Sequence, residues 1–124
     1  MDAAVDLEEN NYKIMIVEDE SIVAMDLSYQ LEQMGYEVCA IEDNGLAAIK
    51  SAKKYQPDLI MMDIVIKGDM DGIQTAANIN HQLKIPIVFL TAFNDDNTVN
   101  RATKTAPYGY ISKPYNPKEI QATL

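Results

Sequence analysis

Four polar residues each close a short apolar run: Asp19 follows Ile14-Val17, Asp63 follows Leu59-Met62, Thr91 follows Ile87-Leu90, and Lys113 follows Tyr110-Ser112. Asp63 has apolar neighbours on both sides, in LIMMDIVI. A carboxylate at the end of a buried strand is costly unless it is paired or coordinated, so chemistry outweighs a purely structural role there. An Asp so placed can attack phosphorus and form an acyl phosphate. Nucleophile and phosphoryl donor are then both anionic, and charge on the phosphoryl oxygens must be neutralised. Lys113 offers an ammonium, and Thr91 offers a hydroxyl to a further oxygen. Glu18-Asp19-Glu20 would read as a solvated loop in isolation, but beside Asp63 these acids would repel one another without a cation. A hard, oxygen-seeking ion such as Mg²⁺ meets that need.

The elements that must position these residues alternate along the chain. Strands are expected near 13–17, 36–41, 58–62, 86–91 and 108–112. Helices are expected near 21–34, 45–55, 72–83 and 96–105, with a last one from about 117. The first helix carries an apolar stripe of Ala24, Leu27, Leu31 and Met34, and Gly35 follows where a left-handed cap costs little. The third carries Ile73, Ala76 and Leu83, interrupted by Asn80. Asp58 and Pro86 punctuate the entries to strands three and four. Such (βα)5 alternation predicts an α/β three-layer sandwich of flavodoxin-like topology, its five parallel strands in the order 2-1-3-4-5. The carboxyl ends of the strands then share one edge, where such folds bind ligands.

The 124 residues suit one domain, 12–124, preceded by an acidic flexible tail, 1–11, that carries Asp2, Asp6, Glu8 and Glu9. The last helix, from Pro117 to Leu124, has only about two turns and is short for a helix covering a sheet edge. That leaves both a trimmed longer chain and an early end open. No apolar run approaches the roughly 20 residues of a membrane span, and the acidic start is unlike a signal peptide, so a cytoplasmic protein without membrane contact is expected. A net charge of −9 argues against direct nucleic-acid binding. Single Cys39, between Val38 and Ala40, reads as a small buried hydrophobe.

Several features together carry a family resemblance. They are Glu18-Asp19, Asp63 in LIMMDI, Met70-Asp71-Gly72 opening the third helix, Thr91-Ala92, and Tyr110-Ile111-Ser112-Lys113-Pro114. With them, residues 12–124 resemble a response-regulator receiver domain of two-component signalling, of the chemotaxis-receiver-like kind. The resemblance implies that Asp63 accepts a phosphoryl group from a histidine kinase or histidine phosphotransfer protein. It implies that Asp19 and Asp63 bind Mg²⁺ (Mn²⁺ as the alternative), with Glu18 acting mostly through water and the backbone carbonyl of Val65 completing the protein ligands. Thr91 and Lys113 would hold phosphoryl oxygens, and Tyr110 would be the switch aromatic that swings inward when Thr91 moves. The face formed by the fourth helix, fifth strand and fifth helix would then bind a downstream protein effector or an output domain, or form a homodimer. The domain would not be an enzyme beyond its own phosphoryl transfer and slow autodephosphorylation. Val65 and Phe93 flank the expected approach of water with groups that cannot hydrogen-bond it.

Two departures stand out: Glu18 occupies a position where Asp is common in the family, and the loop 66–70 is about one residue longer than usual and lacks its proline. Lys113-Pro114 is a linkage where a cis bond is inexpensive. Rival classes fit less well. An aspartyl phosphatase of the haloacid-dehalogenase type would place an Asp at Val65, and a flavin carrier would not put acids after its first strand. A phosphorylation-independent interaction module remains the alternative. His81 reads as solvent-facing, Met15, Met61 and Met62 as core, and Asp69-Met70-Asp71-Gly72 as a turn and helix start. Asn94, Asp95 and Asp96 read as a helix cap, while Tyr108 and Tyr115 bracket the fifth strand.

Overall fold

A computed structural model describes residues 12–91, 96–104, 107–112 and 117–124. The elements follow in strict alternation: β1 (Lys13–Val17), α1 (Ser21–Gln33), β2 (Glu37–Glu42), α2 (Gly45–Tyr55), β3 (Leu59–Asp63), α3 (Gly72–Gln82), β4 (Ile87–Thr91), α4 (Asp96–Thr103), β5 (Gly109–Ser112) and α5 (Pro117–Thr123). All strand pairs are parallel, in the order β2-β1-β3-β4-β5. The expected architecture is therefore the observed one, with boundaries shifted by a residue or two. The acidic tail, the 92–95 segment with Phe93, Asn94 and Asp95, and the 113–116 segment with Lys113, Pro114 and Tyr115 lie outside the described residues.

A parallel sheet is buried on both faces, and its strands alternate between two cores. Met15, Val17, Ile60, Met62, Ile87 and Phe89 pack with Ala48 and Ala52 of α2, Ile73, Ala76 and Ile79 of α3, and Ala102 of α4. Ile14, Ile16, Met61, Val88, Leu90 and Ile111 pack on the opposite side with Ala24, Leu27 and Leu31 of α1 and Ile120 of α5. The three methionines are fully buried. Ile79 adds a buried position to the α3 stripe immediately before Asn80. Gly35 takes φ +96°, the left-handed conformation expected after α1.

Cys39 is a correction: it is half-buried rather than fully enclosed. β2 is an edge strand, and its register with β1 slips between Ile14 and Met15, so that Cys39 is the bulged residue between Val38 and Ala40. Partial burial still pushes its thiol pKa up, favouring the neutral form.

Candidate functional site

β1 and β3 are adjacent, with Val17 opposite Met62, so the residues that follow them emerge side by side. Carboxylate oxygens of Glu18, Asp19 and Asp63 lie within 4.8 Å of one another. Glu18 is 2% exposed and Asp63 4%, while Asp19 is half-buried. Oxygen-only donors at this spacing suit a hard divalent cation better than a thiophilic metal.

Local hydrogen bonds aim the carboxylates. Glu18 N donates to Glu42 O at 2.9 Å, fixing the chain as it leaves β1 against the end of β2. Its Oε2 accepts from Glu20 N at 3.2 Å, so the side chain folds back beneath its own loop. Asp63 Oδ1 accepts from Val65 N at 3.2 Å. The Val65 side chain is exposed and apolar beside this acid.

The loop after Asp63 is built around a close approach. Gly72 N donates to Ile64 O at 2.7 Å, and a Cβ at Gly72 would stand 1.9 Å from the backbone oxygen of Asp63. Only glycine allows α3 to start so near the acid. Asp71 caps that helix: its Oδ1 accepts from Gln74 N at 2.9 Å, and Asp71 N donates back to Gln74 Oε1 at 3.0 Å. The turn and helix start expected of Asp69-Met70-Asp71-Gly72 are thus a reciprocal capping box.

The longer loop is also tied sideways. Lys67 forms an isolated parallel bridge with Asn44, and its Nζ lies 3.5 Å from Asp43 Oδ2. A cleft of about 420 Å³ runs from Glu18 and Asp19 past Met25 to Glu42, Asp43 and Lys67. Glu42 accepts a hydrogen bond from Ser51 of α2. On α1, Met25 lines the cleft, and Ile22, one helical turn before it, is likewise a strongly exposed apolar side chain.

Thr91 closes β4 one step beyond the Asp63–Leu90 pair, with Ser112 opposite on β5. By strand alternation Thr91 and Tyr110 share the sheet face of Phe89, whose ring centroid is 6.2 Å from that of Tyr110. Tyr110 is 42% exposed, and its hydroxyl lies 3.1 Å from Thr103 Oγ1 on α4. His81 is exposed on α3, as expected, and Tyr108 is exposed before β5. Lys113 and the Lys113–Pro114 bond fall outside the described residues. Sequence reasoning missed the burial of Glu18 and the roles of Lys67, Arg101 and Thr103, whose partners are distant or lie on other elements.

The family model described as "Response regulator receiver domain" matches residues 14–124. Among curated proteins, the chain is 34% identical over 108 residues to the transcriptional regulatory protein PdtaR of Mycobacterium tuberculosis. It is also 34% identical over 110 residues to the response regulator protein VraR of Staphylococcus aureus. Each match takes in 87% of this chain but 52% of the relative, so the chain spans about half the length of these relatives. Among solved structures, the signal receiver domain of a modulated diguanylate cyclase from Desulfovibrio desulfuricans superposes with a TM-score of 0.86 at 35% identity, covering 91% of this chain and 90% of that one. The N-terminal domain of a response regulator/sensory box/GGDEF three-domain protein from Carboxydothermus hydrogenoformans gives 0.80 at 37%, covering 90% and 89%.

Proposed function

Since this chain belongs to the response regulator receiver domain family of two-component signalling, we propose that Asp63 is its phosphoacceptor. The observation that carries this reading is the meeting of Glu18, Asp19 and Asp63, two of them buried, at one end of the sheet. Such crowding of like charge is costly in a folded protein unless something cationic is bound there. A Mg²⁺ ion held by Asp19, Asp63 and the Val65 carbonyl, with Glu18 behind through water, would lower the charge on the entering phosphoryl group. An Asp63 carboxylate oxygen attacks phosphorus. The bond from phosphorus to the donor, an imidazole nitrogen of a kinase or phosphotransfer protein, breaks with its electron pair leaving on that nitrogen. Thr91 donates a hydrogen bond to one phosphoryl oxygen and Lys113 neutralises another.

The adduct is an acyl phosphate whose hydrolysis needs a positioned water. Val65 offers that water only an apolar side chain, which supports slow loss of the group. The phosphoryl group binds two conformations of the domain unequally, drawing Thr91 toward itself and Tyr110 inward, and the α4/β5/α5 face then changes its affinity for a protein effector, an output domain or a second copy. Exposed Met25 in the cleft wall and Ile22 one turn away on α1 give an approaching phosphodonor protein an apolar footing. Such a switch works in the cytoplasm, where kinase and effector share a compartment. Among the described residues no helix is long and apolar enough to cross a membrane.

Intact mass after incubation with Mg²⁺ and acetyl phosphate tests this directly. One phosphoryl group should be gained, should persist after donor removal, and should be absent from Asp63→Asn and from a chelated sample. No gain by a folded wild-type protein would transfer support to a phosphorylation-independent interaction module.

A further inference from the structure

Among the described residues, two polar side-chain contacts join α4 to different parts of the molecule. On one side, Arg101 Nη2 lies 2.7 Å from Asp71 Oδ2. On the other, Thr103 Oγ1 lies 3.1 Å from the Tyr110 hydroxyl. Their surroundings differ. Asp71 is held by the capping box, its carbonyl accepts from Thr75 Oγ1 at 2.8 Å, and its neighbour Gly72 is pressed against the backbone of Asp63. An anchor on Asp71 is therefore an anchor on the loop that carries the acceptor. Tyr110 is partly exposed and stands on the edge strand β5, so its ring is free to turn in a way that Asp71 is not.

We propose that α4 is mounted at these two points, with Arg101 on Asp71 as the fixed anchor and Thr103 on Tyr110 as the releasable one that restrains the ring in its outward position. The proposal rests on the reading of Thr91 and Tyr110 as a coupled pair. Tyr110 and Thr91 share a sheet face, and a ring turning along that face toward Thr91 carries its hydroxyl away from α4. The hydrogen bond to Thr103 must then break. Thr103 is thus a positioning residue that acts through Tyr110, setting how much of the domain is inward before any phosphoryl group arrives. Arg101 keeps α4 in register with the acceptor loop while that exchange occurs, through a charge-assisted contact whose carboxylate cannot swing away.

The test uses the full chain labelled with fluorotyrosine, in buffer free of phosphate and metal, with the Tyr110 resonance assigned from Tyr110→Phe. Thr103→Val removes the hydroxyl at nearly constant shape and should raise the inward ring population about two- to tenfold, the shift corresponding to one neutral hydrogen bond. Thr103→Ser should restore the wild-type value. Asp71→Asn keeps a capping side chain and removes the charge. It should speed amide exchange across residues 100–104 while moving the Tyr110 resonance less than Thr103→Val does. Acetyl phosphate labelling of the same samples, read by intact mass, separates this proposal from the one beneath it. A ring shift in Thr103→Val with no labelling of any variant would uphold the mount and remove the acceptor reading. Normal labelling with an unmoved ring would overturn the mount and leave the acceptor in place.

Discussion

Where β1 and β3 begin, Lys13 and Asp58 exchange hydrogen bonds: Lys13 N donates to Asp58 Oδ2 at 2.8 Å, and Asp58 N donates to Lys13 O at 2.7 Å. Lys13 Nζ adds a bond to Tyr55 O at 3.2 Å. Where the same two strands finish, Glu18, Asp19 and Asp63 crowd three carboxylates of one sign into 4.8 Å. Hydrogen bonds to backbone groups close the first end in partial exposure, with the Asp58 carboxylate and the Lys13 ammonium each engaged by a main-chain partner; like charges crowd the second, two of the three carboxylates buried. The same strands thus carry an end arranged for stability and an end arranged for ligand and phosphoryl chemistry, whose cost the core must offset. Breaking contacts at the first should cost stability alone, and relieving charge at the second should cost function.

The largest effect belongs to the scaffold of the crowded end. Gly72→Ala would push a methyl group into the backbone oxygen of Asp63, a contact that no flexible side chain can relieve. Overpacking of this kind should destabilise the domain by about 3 kcal/mol in urea unfolding and displace the acceptor loop. A variant with wild-type stability and wild-type labelling would show that the two ends are less different than their geometry implies.

Next comes the charge itself. At a hundredfold excess over its dissociation constant, Mg²⁺ should stabilise the wild-type protein by about 2.7 kcal/mol. Most of that increment should vanish in Asp63→Asn. In chelator the order reverses: Asp63→Asn, with one fewer buried like charge, should exceed wild type by about 1 kcal/mol. Urea midpoints with and without the metal check both signs. If wild type is already the more stable protein in chelator, crowding at this end is compensated from within the chain.

The sequence made the alternation of elements and the convergence of Asp19, Asp63 and Thr91 legible because each follows an apolar run, and strand ends in a parallel sheet share an edge. Spacing of that kind is a local signal. Glu18 was harder to place, because a run of three acids usually marks solvent, and only the hydrogen bond of its amide to Glu42 turns the chain so that this member is buried. Arg101 and Asp71 are 30 residues apart and Lys13 and Asp58 are 45, with no periodicity linking either pair. Such contacts exist only after the helices have been laid on the sheet. The bulge at Cys39 is similar: VCAI reads as an ordinary strand, and only pairing with β1 exposes the slip.

At the first end, Asp58→Ala removes the acceptor of Lys13 N and should lower stability by about 1 kcal/mol. Phosphoryl uptake should remain at the wild-type level, since nothing within the cleft changes. A parallel fall in uptake, beyond the unfolded fraction, would mean that the sheet transmits strain from one end to the other.

The smallest effect lies at the rim of the crowded end, where one opposite-charge pair does occur. Asp43 is exposed, and its carboxyl is held below the usual range first by the hydrogen bond from the Asn44 amide, 2.8 Å, and then by Lys67. Because the folded-state pKa is lowered, the stabilisation is present above the unfolded-state carboxylate pKa of about 3.9 and is lost as pH falls through the lower folded-state value. Asp43→Asn removes that titration. The stability difference between wild type and Asp43→Asn should therefore shrink as urea midpoints are followed from neutral pH into acid, and it should shrink at neutral pH when salt is added. A difference independent of both would assign the contribution of Asp43 to the backbone bridge between Asn44 and Lys67, and the rim would then hold the longer loop by its chain path alone.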